Sequence, residues 1–241
     1  MNVLLLKNFS VEVERKVRSK ALEMSVEAGE ICALVGKNGS GKSSLLSGIV
    51  TLPGYVSTGE CICLGTNTEE TALDEKARAG VMYIGQKQPE IEGLSLIQLL
   101  YGMYKRTTER PMSIIEYKDS LTEKLQKYSL KTELLLRPLG VGLSGGEKKQ
   151  TELITLVASS PKLALIDEID SGVDIDTLEN IAMVIRDLQE QGTGILIVSH
   201  NLELIQKINP TKIYLAEEGI VSYYGTDADL ETLKENGFVS E

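Results

Sequence analysis

The stretch GKNGSGKS, residues 36–43, decides the fold class of this 241-residue sequence. It follows EICALV (30–35), whose continuous apolar character is typical of a strand covered on both faces. It runs into KSSLLSGIVTL (42–52), a plausible helix. A strand, a glycine-rich loop and a helix in this order are the context that a phosphate-binding loop requires. An ordinary glycine-rich turn is the alternative, and the presence of both flanking elements argues against it.

The loop predicts a bound nucleotide and a magnesium ion. Backbone N–H groups of residues 39–43 would surround the β-phosphate, Lys42 would reach the β- and γ-phosphates, and Ser43 would ligate Mg²⁺. The predicted nucleotide-binding set is this loop together with the residue that follows it: Gly36, Lys37, Asn38, Gly39, Ser40, Gly41, Lys42, Ser43 and Ser44.

A pair of carboxylates ends a second apolar strand, LALIDE (163–168). Asp167 would hold Mg²⁺ through water, and Glu168 would orient or deprotonate the attacking water. Adjacent strand residues point to opposite faces, but at the end of a strand the chain can turn both toward one site. Alone, this pair is weak evidence for a catalytic site. The phosphate-binding loop upstream makes that interpretation stronger.

His200 and Gln86 complete the predicted catalytic set. His200, the only histidine, ends the apolar segment GILIVSH (194–200), and ligands of parallel sheets bind at the carboxyl ends of strands. We predict that it hydrogen-bonds toward the γ-phosphate; a surface or core histidine without function is the alternative. The Gln86 amide could contact Mg²⁺ and the attacking water. The alternative is a solvated loop residue, and Gln88 is a rival for the role.

A second candidate anion-binding loop lies in LSGGEKKQTELI (143–154), where a serine and two glycines precede a predicted helix. Without its own lysine of the phosphate-loop type, this loop cannot hold a nucleotide alone, but it can cap one that is bound elsewhere. If two copies pack head to tail, Ser144, Gly145 and Gly146 of one copy meet the γ-phosphate on the other. The sequence thus predicts a homodimer with two nucleotides in an isologous interface.

Other segments have the periodicity of regular elements. Leu22, Met24 and Val26 alternate with polar residues, as in a half-buried strand, and residues 212–225 are typical of a β-hairpin. Between residues 86 and 143 the chain predicts a helical insertion. One apolar stripe at helical spacing within it comprises Ile114, Tyr117, Leu121, Leu125 and Tyr128.

Composition and charge limit the class of protein. The chain is 42% hydrophobic and 25% charged, as in a globular domain, and no apolar stretch approaches the roughly 18 residues that span a bilayer. We expect no signal peptide, no direct membrane insertion and a cytoplasmic location. The net charge of −10 argues against nucleic acid as a partner, because phosphate backbones repel an acidic surface. Cys61 and Cys63 are interpreted as small hydrophobes of a strand, with a metal-ligand pair as the alternative.

Together these motifs resemble those of the ABC-type ATPases over essentially the whole chain. LSGGE is similar to the signature loop of that family, and Gln86, Asp167–Glu168, Ser171–Asp174 and His200 occur in the family's order. The resemblance implies ATP and Mg²⁺ as ligands and a single α/β ABC ATPase domain. That domain would have a RecA-like parallel-sheet core, an antiparallel β subdomain and a helical subdomain inserted at about residues 90–160.

The same resemblance implies a role for each motif residue. The catalytic residues would be Glu168, His200 and Gln86. The metal ligands would be Ser43, Gln86 and Asp167. The residues that contact the ATP of the partner copy would be Ser144, Gly145, Gly146 and Asp174.

Within this family, two stretches of the chain resemble the SufC ATPases, which belong to the SUF iron–sulfur cluster assembly systems. They are GVGLSGGEKKQTELI (140–154) and DEIDSGVDID (167–176). The resemblance implies scaffold proteins similar to SufB and SufD as partners, docked on residues 86–105. The ATPase subunit of a membrane ABC transporter is the alternative. A mechanical ATPase of nucleic-acid maintenance is a third possibility, against which the acidic charge and the lack of a coiled-coil insertion argue.

Some positions depart from the family pattern. Lys37 stands where Pro is common, and Ser44 where Thr is common. No aromatic residue lies between Phe9 and Tyr55, so the tyrosine that stacks on adenine in transporter ATPases is missing. We expect Val17 to pack against the base instead.

Overall fold

A computed structural model describes residues 1–86, 89–226 and 230–238 of the chain. The strands are β1 Asn2–Val13, β2 Lys16–Glu27, β3 Ile31–Val35, β4 Val56–Cys63, β5 Thr66–Asn67, β6 Val81–Ile84, β7 Ile91–Ser95, β8 Pro138–Leu139, β9 Leu163–Asp167, β10 Gly194–Val198, β11 Lys212–Glu217 and β12 Ile220–Gly225. The α-helices are α1 Lys42–Ile49, α2 Leu73–Ala79, α3 Leu96–Thr107, α4 Ile114–Gln126, α5 Gly145–Ser159, α6 Ile175–Glu190, α7 Leu202–Ile208 and α8 Leu230–Glu235. Short 3₁₀ turns lie at Thr68–Glu70 and Thr132–Leu136.

One large sheet organises the described part of the chain, in the order β5-β4-β1-β2-β12-β11-β3-β10-β9-β6. From β11 to β6 all neighbouring strands are parallel. β1, β2, β4 and β5 pair in antiparallel fashion and continue the same sheet, joined to it by the parallel pairing of β2 with β12. The α/β class predicted from the sequence is confirmed, and the hairpin β11–β12 turns around Gly219 as expected.

The central strands are buried on both faces, as their apolar sequences predict. Every residue of β3, β9 and β10 is buried. Alternate residues of one strand point to opposite faces, and they enter two different hydrophobic clusters. Ile195 and Ile197 of β10 pack in one cluster with the helices α3 to α6, whereas Leu196 and Val198 pack in the other with β1, β2 and α1. These two cores cover the two faces around β10, and a third, smaller cluster packs β3 and β11 together with α7 and α8.

Between β6 and β9 the described residues from 89 onward are largely helical, as predicted, but they also contain a small antiparallel sheet that the sequence did not predict. In this sheet β7 pairs with β8 through Ile91 and Leu139. Of the predicted stripe, Tyr117, Leu121, Leu125 and Tyr128 are buried. Ile114 is 39% exposed, because it is the first residue of α4 and faces outward at the end of the helix.

Leu22 departs from the alternation that the sequence predicted: Met24 and Val26 are buried in β2, but Leu22 is 55% exposed. The cause is an irregularity at Asn8 of β1, which adopts a left-handed conformation with φ of 48° where the pairing of β1 with β4 shifts register between Lys7 and Ser10. The register between β1 and β2 is continuous at this point. On either side of it the inward-facing residues are three positions apart in both strands instead of two, at Leu6 and Phe9 in β1 and at Met24 and Ala21 in β2.

Cys61 and Cys63 lie in β4, opposite Leu6 and Leu4 of β1, and both are buried in the cluster that contains those leucines. Their surroundings support the interpretation as small hydrophobic residues. Within the described ranges, no helix combines the length and the apolar character needed to cross a membrane.

The irregularity at Asn8 predicts unequal costs for two truncations in β2. Met24→Ala should lower the free energy of unfolding by about 2–5 kcal/mol, because it empties a buried position. Leu22→Ala should change it by less than about 0.5 kcal/mol, as at an ordinary surface site. Urea denaturation of both variants measures the difference. Equal losses would mean that Leu22 is buried.

Candidate active site

The phosphate-binding loop is held between two strands that are far apart in sequence. It leaves β3 at Gly36 and reaches α1 at Gly41, which caps the helix with a φ of 97°. A Cβ atom at Gly36 would lie 2.1 Å from the Ala216 carbonyl oxygen of β11, and one at Gly41 would lie 2.1 Å from the Arg18 carbonyl oxygen of β2. Only glycine permits both contacts.

Lys42 and Ser40 place polar groups where they can bind an anion inside this loop. The Lys42 side chain is buried, and its Nζ donates to the carbonyl oxygens of Gly36 at 2.7 Å and Lys37 at 2.9 Å. Burial lowers the pKa of Lys42, while the carboxylates of Glu168 and Asp167 act in the opposite direction. The Ser40 hydroxyl is buried and has no hydrogen-bond partner among the described residues. A phosphate group would satisfy it.

Ser43 and Asp167 form the predicted metal end of the site. The Ser43 hydroxyl donates to Asp167 Oδ1 at 3.1 Å, and the Gln86 amide nitrogen donates to Ser43 Oγ at 3.3 Å. Burial raises the pKa of Asp167 to about 6, although the hydrogen bond from Ser43 acts to lower it. A hydroxyl and a carboxylate are the hard oxygen donors that Mg²⁺ prefers. These residues therefore fit the ion that the sequence predicts.

Glu168 lies at the centre of the predicted catalytic residues. Its Oε2 accepts a hydrogen bond from the Gln86 amide at 3.1 Å, and its Oε1 lies 3.1 Å from His200 Nε2. The backbone of Glu168 is left-handed, with φ of 52°, so the chain turns here as the sequence analysis proposed for a strand end. The Glu168 N–H donates to the Val198 carbonyl, and Lys149 Nζ donates to the Glu168 carbonyl at 3.1 Å.

A cleft of about 480 Å³ runs along the loop. It is lined by Arg18, Asn38, Gly39, Gly41, Lys42, Ser43, Ser44, Gln86 and Glu168. Lys37, in contrast, directs its side chain over the Phe238 ring, with Nζ 5.4 Å from the ring centroid. Gln88, the rival of Gln86, lies outside the described residues.

The predicted trans-acting residues form a separate group. Ser144, Gly145, Gly146 and Asp174 are exposed, and they do not line the cleft. Ser144 caps α5, where its hydroxyl accepts from the Glu147 N–H. Asp174 caps α6 and accepts from the Thr177 N–H, which lowers the pKa of Asp174. Within one chain the structure does not bring these residues to the phosphate-binding loop.

The sequence analysis missed three residues near the site. Arg18 lines the cleft, whereas Val17, the expected base contact, is 58% exposed and does not line it. Lys149 reaches the Glu168 carbonyl from α5. Asp170 is buried and accepts a hydrogen bond from Ser199 at 2.7 Å. The motifs DEIDSGVDID and GGEKK contain Asp170 and Lys149, but no local signal marks Arg18.

The family comparison agrees with this geometry: the family model described as ABC transporter matches residues 19–171. The chain belongs to the ABC transporter family. A probable ABC transporter ATP-binding protein of Streptococcus pyogenes serotype M3 is 32% identical over 99% of this chain and 94% of its own length. A probable ATP-dependent transporter of Synechocystis is 33% identical over 98% of this chain and 94% of its own length. Vegetative protein 296 of Bacillus subtilis is 31% identical over 98% of this chain and 92% of its own length.

Solved structures share the fold of this family member. A dimeric ATP-binding cassette in a post-hydrolysis state, bound to ADP and phosphate, has a TM-score of 0.79 at 21% identity, over 92% of this chain and 98% of its own. The ATP-binding subunit of an ABC transporter also has a TM-score of 0.79, at 22% identity over 99% of this chain and 95% of its own. The predicted α/β ABC ATPase fold is confirmed. The chain is an ABC-type ATPase that uses ATP with Mg²⁺.

The left-handed backbone of Glu168 predicts that a glycine variant is more stable than an alanine variant, the reverse of the usual order in a strand. A residue with a side chain loses about 1–2 kcal/mol of stability in this conformation, and glycine does not. Glycine loses about 0.5–1 kcal/mol more than alanine through its freedom in the unfolded chain. Glu168→Gly should therefore be at least as stable as Glu168→Ala, by up to about 1.5 kcal/mol, whereas in an ordinary strand the alanine variant is the more stable. Urea denaturation without nucleotide measures this; a clearly more stable alanine variant would contradict the backbone geometry.

Proposed function

We propose that ATP is hydrolysed around Glu168 at the interface of two copies of this chain, and that the cycle drives a scaffold on which iron–sulfur clusters are assembled, as in the SufC ATPases. The observation that carries the catalytic part is the position of Glu168. It is held between Gln86 and His200 at the end of the phosphate-binding loop where Ser43 meets Asp167.

Each residue of the cleft has a role in this proposal. Lys42 would exchange its loop carbonyls for the β- and γ-phosphates, and the free Ser40 hydroxyl would donate to a phosphate oxygen. Ser43, Asp167 and Gln86 would hold Mg²⁺, which neutralises charge on the phosphates. Glu168 would accept a proton from the attacking water as its oxygen bonds to the γ-phosphorus. The bond from that phosphorus to the bridging oxygen breaks, which gives ADP and phosphate. His200 would orient Glu168 and donate toward the phosphate.

The exposed loop at Ser144 supports a dimer. Among the described residues, no atom lies within 4 Å of a Cβ built at Gly145 or Gly146, the first helical residues of α5, so another surface can approach their N–H groups closely. Asp174 and Ile175, which is 63% exposed, lie at the start of α6 and are similarly accessible. In a head-to-tail pair these residues would cap the ATP on the partner, which no single chain can do.

The scaffold part rests on the SufC-like stretches 140–154 and 167–176 and on the exposed residues 89–93. Ile91 in β7 is 43% exposed, and Glu92 is exposed beside it, whereas Leu96 and Ile97 of the same predicted surface are buried in the core. Glu90 forms an ion pair with Lys148 of α5 at 2.8 Å. A partner docked on β7 would thus contact the segment that is linked to the helix behind Ser144.

The ATPase subunit of a membrane ABC transporter is the second candidate. The names of the similar proteins from Streptococcus pyogenes and Synechocystis favour it, because they describe transporter components. The two candidates share hydrolysis, dimerisation and a cytoplasmic location, and they differ in the partner that docks beside Gln86.

The dimer proposal predicts different effects of two substitutions. Glu168→Gln should bind ATP without hydrolysing it and should therefore form a stable ATP-dependent dimer, seen by light scattering. Ser144→Arg places bulk in the cap and leaves the cradle intact, so ATP binding should persist while dimerisation and hydrolysis are lost. A nucleotide-free dimer of Glu168→Gln, or loss of ATP binding in Ser144→Arg, would contradict the proposal.

The partner proposal predicts a docking defect from Ile91→Asp and from Glu92→Lys. Either should weaken binding to a soluble complex of SufB and SufD by tenfold or more, as one lost hot-spot contact of about 1.4 kcal/mol or more would. ATP affinity should not change, and Ile115→Asp, at a 70% exposed position of α4, is the matched control. Scaffold should also raise ATPase activity, because it concentrates paired subunits. No response to scaffold, and co-purification with an integral permease, would decide for the transporter.

A further inference from the structure

The cleft has two ends that the sheet order places on opposite sides of the phosphate-binding loop. The loop follows β3. β9 and β6, which lead to Glu168 and Gln86, lie on one side of β3, and β2, which carries Arg18, lies on the other. If the triphosphate rests on residues 36–44 with its γ-phosphate toward Glu168, the nucleoside extends toward Arg18. This step rests on the placement given under the proposed function.

The backbone fixes Arg18 at that end of the cleft. Its carbonyl oxygen occupies the space that a Cβ atom at Gly41 would need, and two residues further along β2 the Lys20 N–H donates to the Gly219 carbonyl at 2.7 Å. Arg18 is exposed and is one of the residues that line the cleft. Within the described ranges it has no hydrogen bond or ion pair, so its guanidinium is available to a ligand.

The chemistry of this end suits a planar ring. None of the described residues that line the cleft is aromatic, so no ring stacks on a base there. A guanidinium group is planar and weakly hydrated, and it stacks on π-systems in a way that a lysine ammonium does not. We propose that Arg18 binds the nucleotide base, with its guanidinium stacked on the purine. Since adenine and guanine both offer a π-face, this contact adds affinity with little choice between ATP and GTP.

The test compares three ligands in the full chain with Mg²⁺: ATP, GTP and inorganic tripolyphosphate, by calorimetry directly or in competition with ATP. Arg18→Ala should weaken ATP and GTP by about tenfold each, as expected for the loss of one stacked base, and should leave tripolyphosphate unchanged. Arg18→Tyr should restore both nucleotides, because a neutral ring replaces the stack without the charge. Lys16→Ala removes a cation two residues away on the same strand and should change none of the three.

Other outcomes overturn the inference. Equal weakening of tripolyphosphate by Arg18→Ala would show that Arg18 contacts phosphate, and failure of Arg18→Tyr to restore binding would show that charge is what matters. Nucleotide affinities that stay unchanged in Arg18→Ala would remove Arg18 from the site. Lys42→Ala tests the placement separately: it should abolish binding of all three ligands. If it did not, the triphosphate would lie elsewhere and the inference would fail with its premise, a pattern distinct from failure at Arg18 alone.

Discussion

Two contacts between backbone atoms determine the shape of the phosphate-binding loop. At Gly36 the loop touches the carbonyl of Ala216 in β11, and at Gly41 it touches the carbonyl of Arg18 in β2. A side chain at either position would meet a carbonyl oxygen at 2.1 Å, a distance that no packing adjustment of a flexible group can relieve. Because β2 and β11 come from the two ends of the chain, the loop takes its shape only when the whole sheet order is complete. The binding site is therefore a property of the fold and cannot be carried by the motif alone.

The buried charges of the cleft are only partly compensated by groups of the protein, and a bound nucleotide with Mg²⁺ would complete the compensation. Lys42 is buried, and a buried cation needs compensation. The Gly36 and Lys37 carbonyls provide it at 2.7 and 2.9 Å, and the carboxylates of Asp167 and Glu168 lower the cost further. Burial raises the pKa of Asp167 to about 6, so this carboxylate is held in surroundings that favour a neighbouring cation. Mg²⁺ and the phosphates would satisfy both groups together, so we expect the ion and the nucleotide to bind together.

The sequence predicted those features that depend on local chemistry. The loop, its flanking strand and helix, the strand ends at Asp167 and His200, and the closing hairpin all follow from short patterns whose physics is contained within a few residues. Leu22 was misplaced because its exposure depends on the irregularity at Asn8 of β1, which no pattern in β2 reveals. Arg18 was missed for a related reason: it lines the cleft through the sheet order, which brings β2 to the loop from far away. The β7–β8 pair joins segments about forty residues apart in the same way.

Helix α5 connects the two groups of predicted site residues. Ser144 caps its exposed end, and Lys149, one turn further along, donates to the Glu168 carbonyl of the same chain. Glu90 reaches Lys148 from the segment that leads into β7. Under the proposed function, an ATP held by the partner copy would touch Ser144 and so act on the helix that positions this chain's own Glu168, while a docked scaffold would act on the same helix through Glu90. Contact with the partner's ATP, docking of the scaffold and the position of Glu168 would then be coupled through α5, because a rigid helix cannot shift at one end and remain in place at the other.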